Sequence, residues 1–440
     1  MFRRKLVVRR VIALGTTILS AASSGAAFEF DNVDEAAVKL EKVLAIVDGK
    51  IVFNLNEQLA PERQVAIPFR YVLNNYQVPN VNSLIFLNER GEIIFKDVAS
   101  SGTFYPTTYF PARDGSAYLT IEGVCRPTGG DFLNAYPDTK KLYSSEGRLI
   151  WEKRAEGYPR ISPNGDYVAV FFASGFEGRI TLINKNGNAS EVKGPAGPFH
   201  AISKEGDFLI VGEPTSVPSD WPGGTTIYSA TGELITQLDP NFACRSAVRL
   251  EGDLNIYGSR KIIVQTGFFI KRETVVDPHG NSYTVTDGLS SERGIQVYDG
   301  KGEKIWERKL GKGHPGLKFF VSDNEEYIAL IPDLAAGITV FKSATGEIIR
   351  RIKTSKFPYT INGGYISNDG NIILLIYQCG VKSGDYDTGA VILRGERVVA
   401  EIRLTVLAYG KFSGNLTPDA DMLLLNSSRR ANVYKLHWLR

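Results

Sequence analysis

The sequence predicts an all-β chain built as a β-propeller, with seven four-stranded blades and a ring closed by N-terminal strands. Three observations predict it. A small polar turn followed by an apolar strand recurs seven times. A second unit, strand–turn–strand with Gly in the turn, alternates with the first from residue 113 onward. No amphipathic helical stretch of useful length interrupts them. Self-similarity at ~40–50 residues marks radially repeated sheets. Two hairpins per repeat give four antiparallel strands, which is one blade.

The first unit is clearest in Ser162-Pro-Asn-Gly-Asp-Tyr-Val-Ala-Val and Ser203-Lys-Glu-Gly-Asp-Phe-Leu-Ile-Val. It returns at Ser322-Asp-Asn-Glu-Glu-Tyr, Ser367-Asn-Asp-Gly-Asn-Ile and Thr417-Pro-Asp-Ala-Asp-Met, with looser copies from Arg113 and Gly258. Gly or Asp supplies the positive φ of a tight hairpin, and the apolar run after it reads as a buried strand. The second unit runs Leu142–Trp151, Ile180–Gly187, Ile227–Ile235, Val297–Trp306, Val340–Ile349 and Val391–Val399, with an earlier copy at Leu84–Phe95.

The last first-unit copy is followed by only one more strand, Ala431–Trp438. The N-terminal part is therefore expected to complete that blade, leaving no free edge. Residues 84–98 supply a hairpin beyond this need. Strand-like runs at Val43–Ile46, Ile51–Leu55 and Gln64–Leu73 make eight blades the alternative. Asp34–Leu44 reads alternatively as a short amphipathic helix packed on the rim. The domain reading is residues 1–27 as a signal peptide, 28–82 as an N-terminal extension and 83–440 as the propeller.

Residues 1–27 join a basic start (Arg3, Arg4, Lys5, Arg9, Arg10), a short apolar run from Val11 to Ala22 and a small-residue site at Ser24-Gly25-Ala26-Ala27. That is the pattern of a secretory signal. The apolar run is broken by Gly15, Thr16, Thr17 and Ser20, and a spanning helix wants ~20 apolar residues. The expected location is the periplasm or the exterior, with membrane attachment only through an uncleaved signal. Three cysteines, Cys125, Cys244 and Cys379, allow at most one intramolecular disulfide.

Gly147 to Trp151 and Gly302 to Trp306 show Gly-x-x-x-Trp, and Gly91 to Phe95 shows an aromatic variant. This resembles the repeat of PQQ-like bacterial β-propellers. The Ser-Pro-x-Gly turns resemble those of WD40-like and YVTN-like propellers. The resemblance spans about residues 83–440 and implies the fold. It does not imply one function, because such propellers host enzymes, scaffolds and ligand binders alike. Trp at the repeat position is expected to wedge between neighbouring blades.

Four long inserts, Gly123–Lys140, Glu213–Gly224, Thr266–Gly294 and Cys379–Gly389, all fall between second and third strands. One face is therefore expected to be built up while the other stays trim. The inserts carry Arg126, Phe132, Tyr136, Trp221, Phe268, Phe269, His279, Tyr283 and Tyr386. Aromatic side chains on a rigid scaffold suit a docking surface; the other reading folds them back over the blade ends. Arg160, His200 and His314 precede or begin first strands and are the candidates for the axial channel.

Lys and Arg exceed Asp and Glu by 51 − 48 = 3, which gives no electrostatic case for nucleic acid. Four His and three Cys argue against a zinc or haem centre. No adjacent cysteine pair serves a quinone cofactor, and no Gly-x-Ser-x-Gly supplies a hydrolase nucleophile. Ser367-Asn-Asp-Gly370 departs from the sialidase turn in spacing and lacks its Trp. Asp385 and Asp387 fall short of the 6–8 oxygens that calcium takes. No cofactor is expected. The favoured reading is a non-enzymatic exported scaffold whose partner is another envelope or extracellular protein. The alternative is a propeller enzyme of lactonase, lyase or dehydrogenase type with a site at the channel.

Overall fold

The structure is a computed structural model. It describes residues 37–47, 50–54, 67–72, 82–87, 93–98, 108–112, 115–121, 139–174, 177–195, 199–212, 225–239, 242–243, 256–276, 282–311, 317–332, 337–353, 360–380, 386–406, 413–417, 420–426 and 430–439. The expected signal segment lies outside them. Among the described residues every regular element is a strand, and all pairing is antiparallel within eight sheets.

Blade 1 shows three strands among the described residues, β3 (Ile67–Val72), β4 (Asn82–Leu87) and β5 (Ile93–Val98). Blade 2 is β6 (Thr108–Pro111), β7 (Ala117–Ile121), β8 (Thr139–Ser144) and β9 (Leu149–Arg154). Blade 3 is β10 (Tyr158–Ile161), β11 (Tyr167–Ser174), β12 (Glu177–Asn184) and β13 (Ala189–Pro195). Blade 4 is β14 (Phe199–Ile202), β15 (Phe208–Gly212), β16 (Thr226–Ser229) and β17 (Leu234–Gln237).

Blade 5 splits its first position between β18 (Phe242–Ala243) and β19 (Ile256–Gly258), both paired to β20 (Ile262–Val276); β21 (Ser282–Asp299) and β22 (Lys304–Gly311) follow. Blade 6 is β23 (Leu317–Val321), β24 (Tyr327–Pro332), β25 (Ile338–Lys342) and β26 (Ile348–Ile352). Blade 7 is β27 (Thr360–Ile366), β28 (Ile372–Gly380), β29 (Tyr386–Arg394) and β30 (Arg397–Val406). Blade 8 joins the two ends of the chain: β31 (Ser413–Leu416), β32 (Met422–Asn426) and β33 (Arg430–Trp438) pair on to β1 (Val38–Val47) and β2 (Lys50–Asn54).

Seven sheets thus carry four or five strands, and N-terminal strands close the last of them. Blade 1 is the additional sheet that the N-terminal runs left open. Contacts pass from each blade to the next and from blade 8 back to blade 1, so the ring is continuous. Val38–Val47 is strand, not the alternative rim helix; it matches β33 from Val38↔Trp438 to Val47↔Arg430. The Glu41 carboxylate sits 2.5 Å from His437 Nε2 across that seam.

The core is a series of seams rather than one centre. Val168 and Val170 of blade 3 pack with Leu119, Leu142 and Trp151 of blade 2. Leu374 and Ile376 of blade 7 pack with Leu423, Leu425 and Leu436 of blade 8. Second strands are pressed from both faces, so Ile372–Tyr377 is buried throughout. Such strands read as continuous apolar runs rather than as alternation. Outer strands meet water, and β22 alternates exposed and half-buried residues.

The two repeated units have separate tasks. In the first, Ser162 N bonds Tyr167 O and Gly165 N bonds Ser162 O, at 2.8 and 2.9 Å. The buried Ser162 hydroxyl accepts Tyr167 N at 3.0 Å. The same hydroxyl-to-amide bond recurs from Ser203 to Phe208, Ser322 to Tyr327, Ser367 to Ile372 and Thr417 to Met422. In the second, a Trp covers the next blade's outer turn. Gly346 has φ +68°, and a Cβ there would stand 2.7 Å from the Trp306 ring. Trp306 Nε1 donates to Ser343 O at 2.6 Å. The expected wedge is therefore a Trp against a glycine whose side-chain space it occupies.

Candidate functional site

Antiparallel succession puts the first-to-second and third-to-fourth turns of a blade on one face. Hydrogen bonds confirm it: Ala230 N donates to Asp207 O, Ser343 N to Glu326 O and Gly395 N to Asn371 O, at 2.9–3.0 Å. Neighbouring blades are chained on this turn face. Ser116 Oγ donates to Asn164 O, and Asn164 Nδ2 to Glu205 O. Lys204 N donates to Gly258 O, Lys261 Nζ to Asn324 O and Asn324 Nδ2 to Asn368 O. The belt runs unbroken from blade 2 to blade 7.

The opposite face carries the second-to-third connections. In blade 3 that connection is two residues, 175–176, and in blade 6 it spans 333–337. In blades 2 and 4 it spans 122–138 and 213–225. The uneven lengths expected from sequence therefore share this face.

The Thr266–Gly294 insert is not a loop. β20 and β21 run on as a hairpin whose pairing continues to Val276↔Ser282. Thr274-Val275-Val276 and Tyr283-Thr284-Val285-Thr286 are β-branched and aromatic, which favours a ribbon over coil. Pairing jumps from Phe269↔Glu292 to Lys271↔Asp287, so Ile270 faces the four residues 288–291 in a wide bulge. The flanking strands stop there. β18 ends its pairing at Phe242↔Phe269, and β22 pairs from Arg293↔Gly311 inward. The six pairs beyond the bulge form a two-stranded arm about 20 Å long at ~3.4 Å per residue. Among the described residues neither edge of this arm is paired.

The base of the arm is fixed to its blade and to blade 4. Phe269 meets the buried Phe242 ring edge-on at 5.0 Å, and Lys309 Nζ lies 5.3 Å over Phe269 while holding Glu292 at 2.8 Å. Thr225 Oγ1 donates to Gln265 Oε1 at 2.8 Å, and Gln265 Nε2 donates to Gln296 Oε1 and Tyr298 Oη. Tyr298 Oη donates to Gln296 Oε1 at 2.6 Å. Gln296 Nε2 reaches Asp239 and Glu307, and Lys304 bonds the same two carboxylates. Burial drives the Tyr298 hydroxyl well above the ordinary phenol range. The hydrogen bond from Lys304 lowers Glu307, and the same bond raises Lys304. The network matches donors to acceptors and ties the base of the arm to blade 4.

The sequence candidates distribute as follows. Phe268 and Phe269 lie in β20, Tyr283 in the arm strand of β21, and Tyr386 at the start of β29. Tyr386 pairs with Gly380 and Val406, so most of the Cys379–Gly389 insert is also strand. Arg160 and His200 lie in the first strands β10 and β14. Arg126, Phe132, Tyr136, Trp221, His279, His314, Cys125 and Cys244 lie outside the described residues. Among the described residues no three His, Cys, Asp or Glu side chains gather as metal ligands. No helix there is long and apolar enough to cross a membrane.

Sequence reasoning missed the Gln265–Gln296–Tyr298 network. It also missed Glu325, although its signal was present: Ser322-Asp-Asn-Glu places Glu where most copies have Gly.

No family model and no curated relative matches the chain. Among solved structures it is similar to the Dos1 propeller, at 12% identity and TM-score 0.49, over 90% of this chain and 95% of that one. It is similar to Kluyveromyces lactis Hsv2, at 12% identity and TM-score 0.44, over 76% and 98% of the two chains. It is also similar to a eukaryotic initiation factor, at 11% identity and TM-score 0.47, over 90% and 98%. The propeller assignment rests on the sheet order and the closed circuit of blade contacts.

Proposed function

We propose that this chain is an exported, non-enzymatic propeller that holds a partner protein in the periplasm or outside the cell through its insert-bearing face, with the β20–β21 arm as principal contact. The arm carries the proposal. A two-stranded ribbon is marginal by itself, and unpaired strand edges recruit another extended chain. The two edges differ. In sequence the arm strand of β20 opens with Lys271, Arg272 and Glu273, whereas Ser282–Asp287 of β21 reads Ser, Tyr, Thr, Val, Thr and Asp. The β21 edge is the receptive one, and an exported protein with an extended β-branched segment is the fitting partner. The signal-like residues 1–27 support the compartment.

A photo-crosslinking residue at position 284, with a control at 186 in an outer turn of the other face, tests the reading in an envelope fraction of the source cell. Position 284 is expected to give one discrete protein adduct that is lost when Lys271–Asp287 is replaced by a short Gly-rich turn. The replacement must stop at the bulge, because Thr266 and Phe242, which underlie the root, are buried blade residues. Equal labelling from both positions, or none from 284, overturns it.

A further inference from the structure

Glu325 is a carboxylate in a place that suits neither its charge nor its backbone. It is 3% exposed and has φ +63°. Gly165, Gly206 and Gly370 hold the same turn position at φ +71°, +76° and +68°. An L-residue with a Cβ resists this conformation, and a buried carboxylate needs matched donors.

The donors come from two other blades. Tyr257 Oη of blade 5 donates at 2.9 Å and Ser259 Oγ of blade 5 at 2.6 Å. Lys204 Nζ of blade 4 donates at 3.1 Å and also bonds the Asp323 carbonyl. Lys204 and Glu325 belong to blades that are not adjacent. They meet because the intervening turn is cut short. Ser203 closes its turn on Phe208 and Ser322 on Tyr327, five positions on, whereas Ser259 closes on Ile262, three positions on. The short turn is held on each side: Arg260 Nε bonds Asp207 at 2.6 Å, and Lys261 Nζ bonds Asn324 O at 3.0 Å.

We infer that Lys204 and Glu325 form a brace that couples blades 4 and 6 across blade 5, fixing the blade from which the arm projects. In a ring of repeats each unit ordinarily senses only its neighbours. This pair adds a second-neighbour coupling at one place, over the split first strand β18/β19. The brace gives Glu325 a task at a position where glycine would relieve the backbone. It stands independently of the docking role.

Glu325→Gly is the decisive variant, because relief of φ alone would stabilise the chain. Loss of the brace is expected to lower the thermal midpoint by roughly 3–6 °C instead. It is also expected to speed amide exchange together in β15, β20 and β24. Glu325→Gln keeps the side-chain volume and guards against a simple cavity effect. Combined with Lys204→Met it is expected to cost little beyond the larger single effect. An unchanged or raised midpoint for Glu325→Gly, exchange confined to residues 322–327, or additive shifts for Lys204→Met and Glu325→Gln would each overturn the brace.

Discussion

The two faces of the ring are built on opposite principles. The turn face repeats one device: a buried hydroxyl accepting from a backbone amide, with side chains tying each turn to the next. The insert face repeats nothing, with connections from two residues in blade 3 to a paired hairpin in blade 5. Stability therefore concentrates where the sequence is most regular. Irregularity is tolerated where few backbone groups depend on it, and that is where binding segments reside on rigid scaffolds.

This contrast is broken most sharply at the wedges. Trp306 is half-buried against its cluster, so Trp306→Ala should cost about 2–3 kcal/mol in denaturant unfolding, below the range of a fully buried aromatic. A loss below about 1 kcal/mol would remove the wedge from the account of blade packing. Trp306→Phe and Trp151→Phe sharpen the point. Trp306 Nε1 has an acceptor at 2.6 Å, whereas Trp151 Nε1 finds none among the described residues. The first change should cost roughly 1–2 kcal/mol more than the second.

The turn hydroxyls come next. Ser367→Ala removes the acceptor of Ile372 N at 2.9 Å and should cost roughly 1–3 kcal/mol. A neutral result would make the recurring Ser a matter of turn propensity alone.

A smaller effect is expected in alkali. Burial raises Tyr434 to about 12 from 10.0, and it raises Tyr298 as well. The folded chain keeps these protons while the unfolded chain releases them. Their stabilisation is fully present below the ordinary phenol pKa and is lost as pH rises through the folded values. Urea midpoints should fall between about pH 10 and pH 12, and Tyr434→Phe should flatten that fall. Least of all, Thr284→Ala in the arm should shift unfolding by no more than about 0.5 kcal/mol. A large loss there would mean that the arm belongs to the core.

The fold was legible because its signals are local. A Ser or Thr opens the turn, Gly or Asp follows within it, and an apolar run leads out. The wedge was legible from Gly-x-x-x-Trp. The arm was not, because Lys271 to Asp287 alternates weakly and its pairing partner lies within the same insert. Blade 5 was the hardest to read, since its first strand is split and its turn shortened, leaving only Gly258-Ser-Arg-Lys as a trace. The Lys204–Glu325 pair was invisible to any local rule: its members are 121 residues apart.

The seam between β1 and β33 has a consequence for how the molecule comes into being. Its partners are separated in sequence by the other seven blades, so circularisation waits until β33 is available. Loop-closure entropy makes this the slowest contact to form. Until then, an incomplete arc leaves the apolar flanks of its two terminal sheets uncovered, and the β1–β2 hairpin must keep the other edge of β1 open while the intervening blades arrive. Truncation near Trp438 would leave a species prone to clumping rather than a shorter version of the same object.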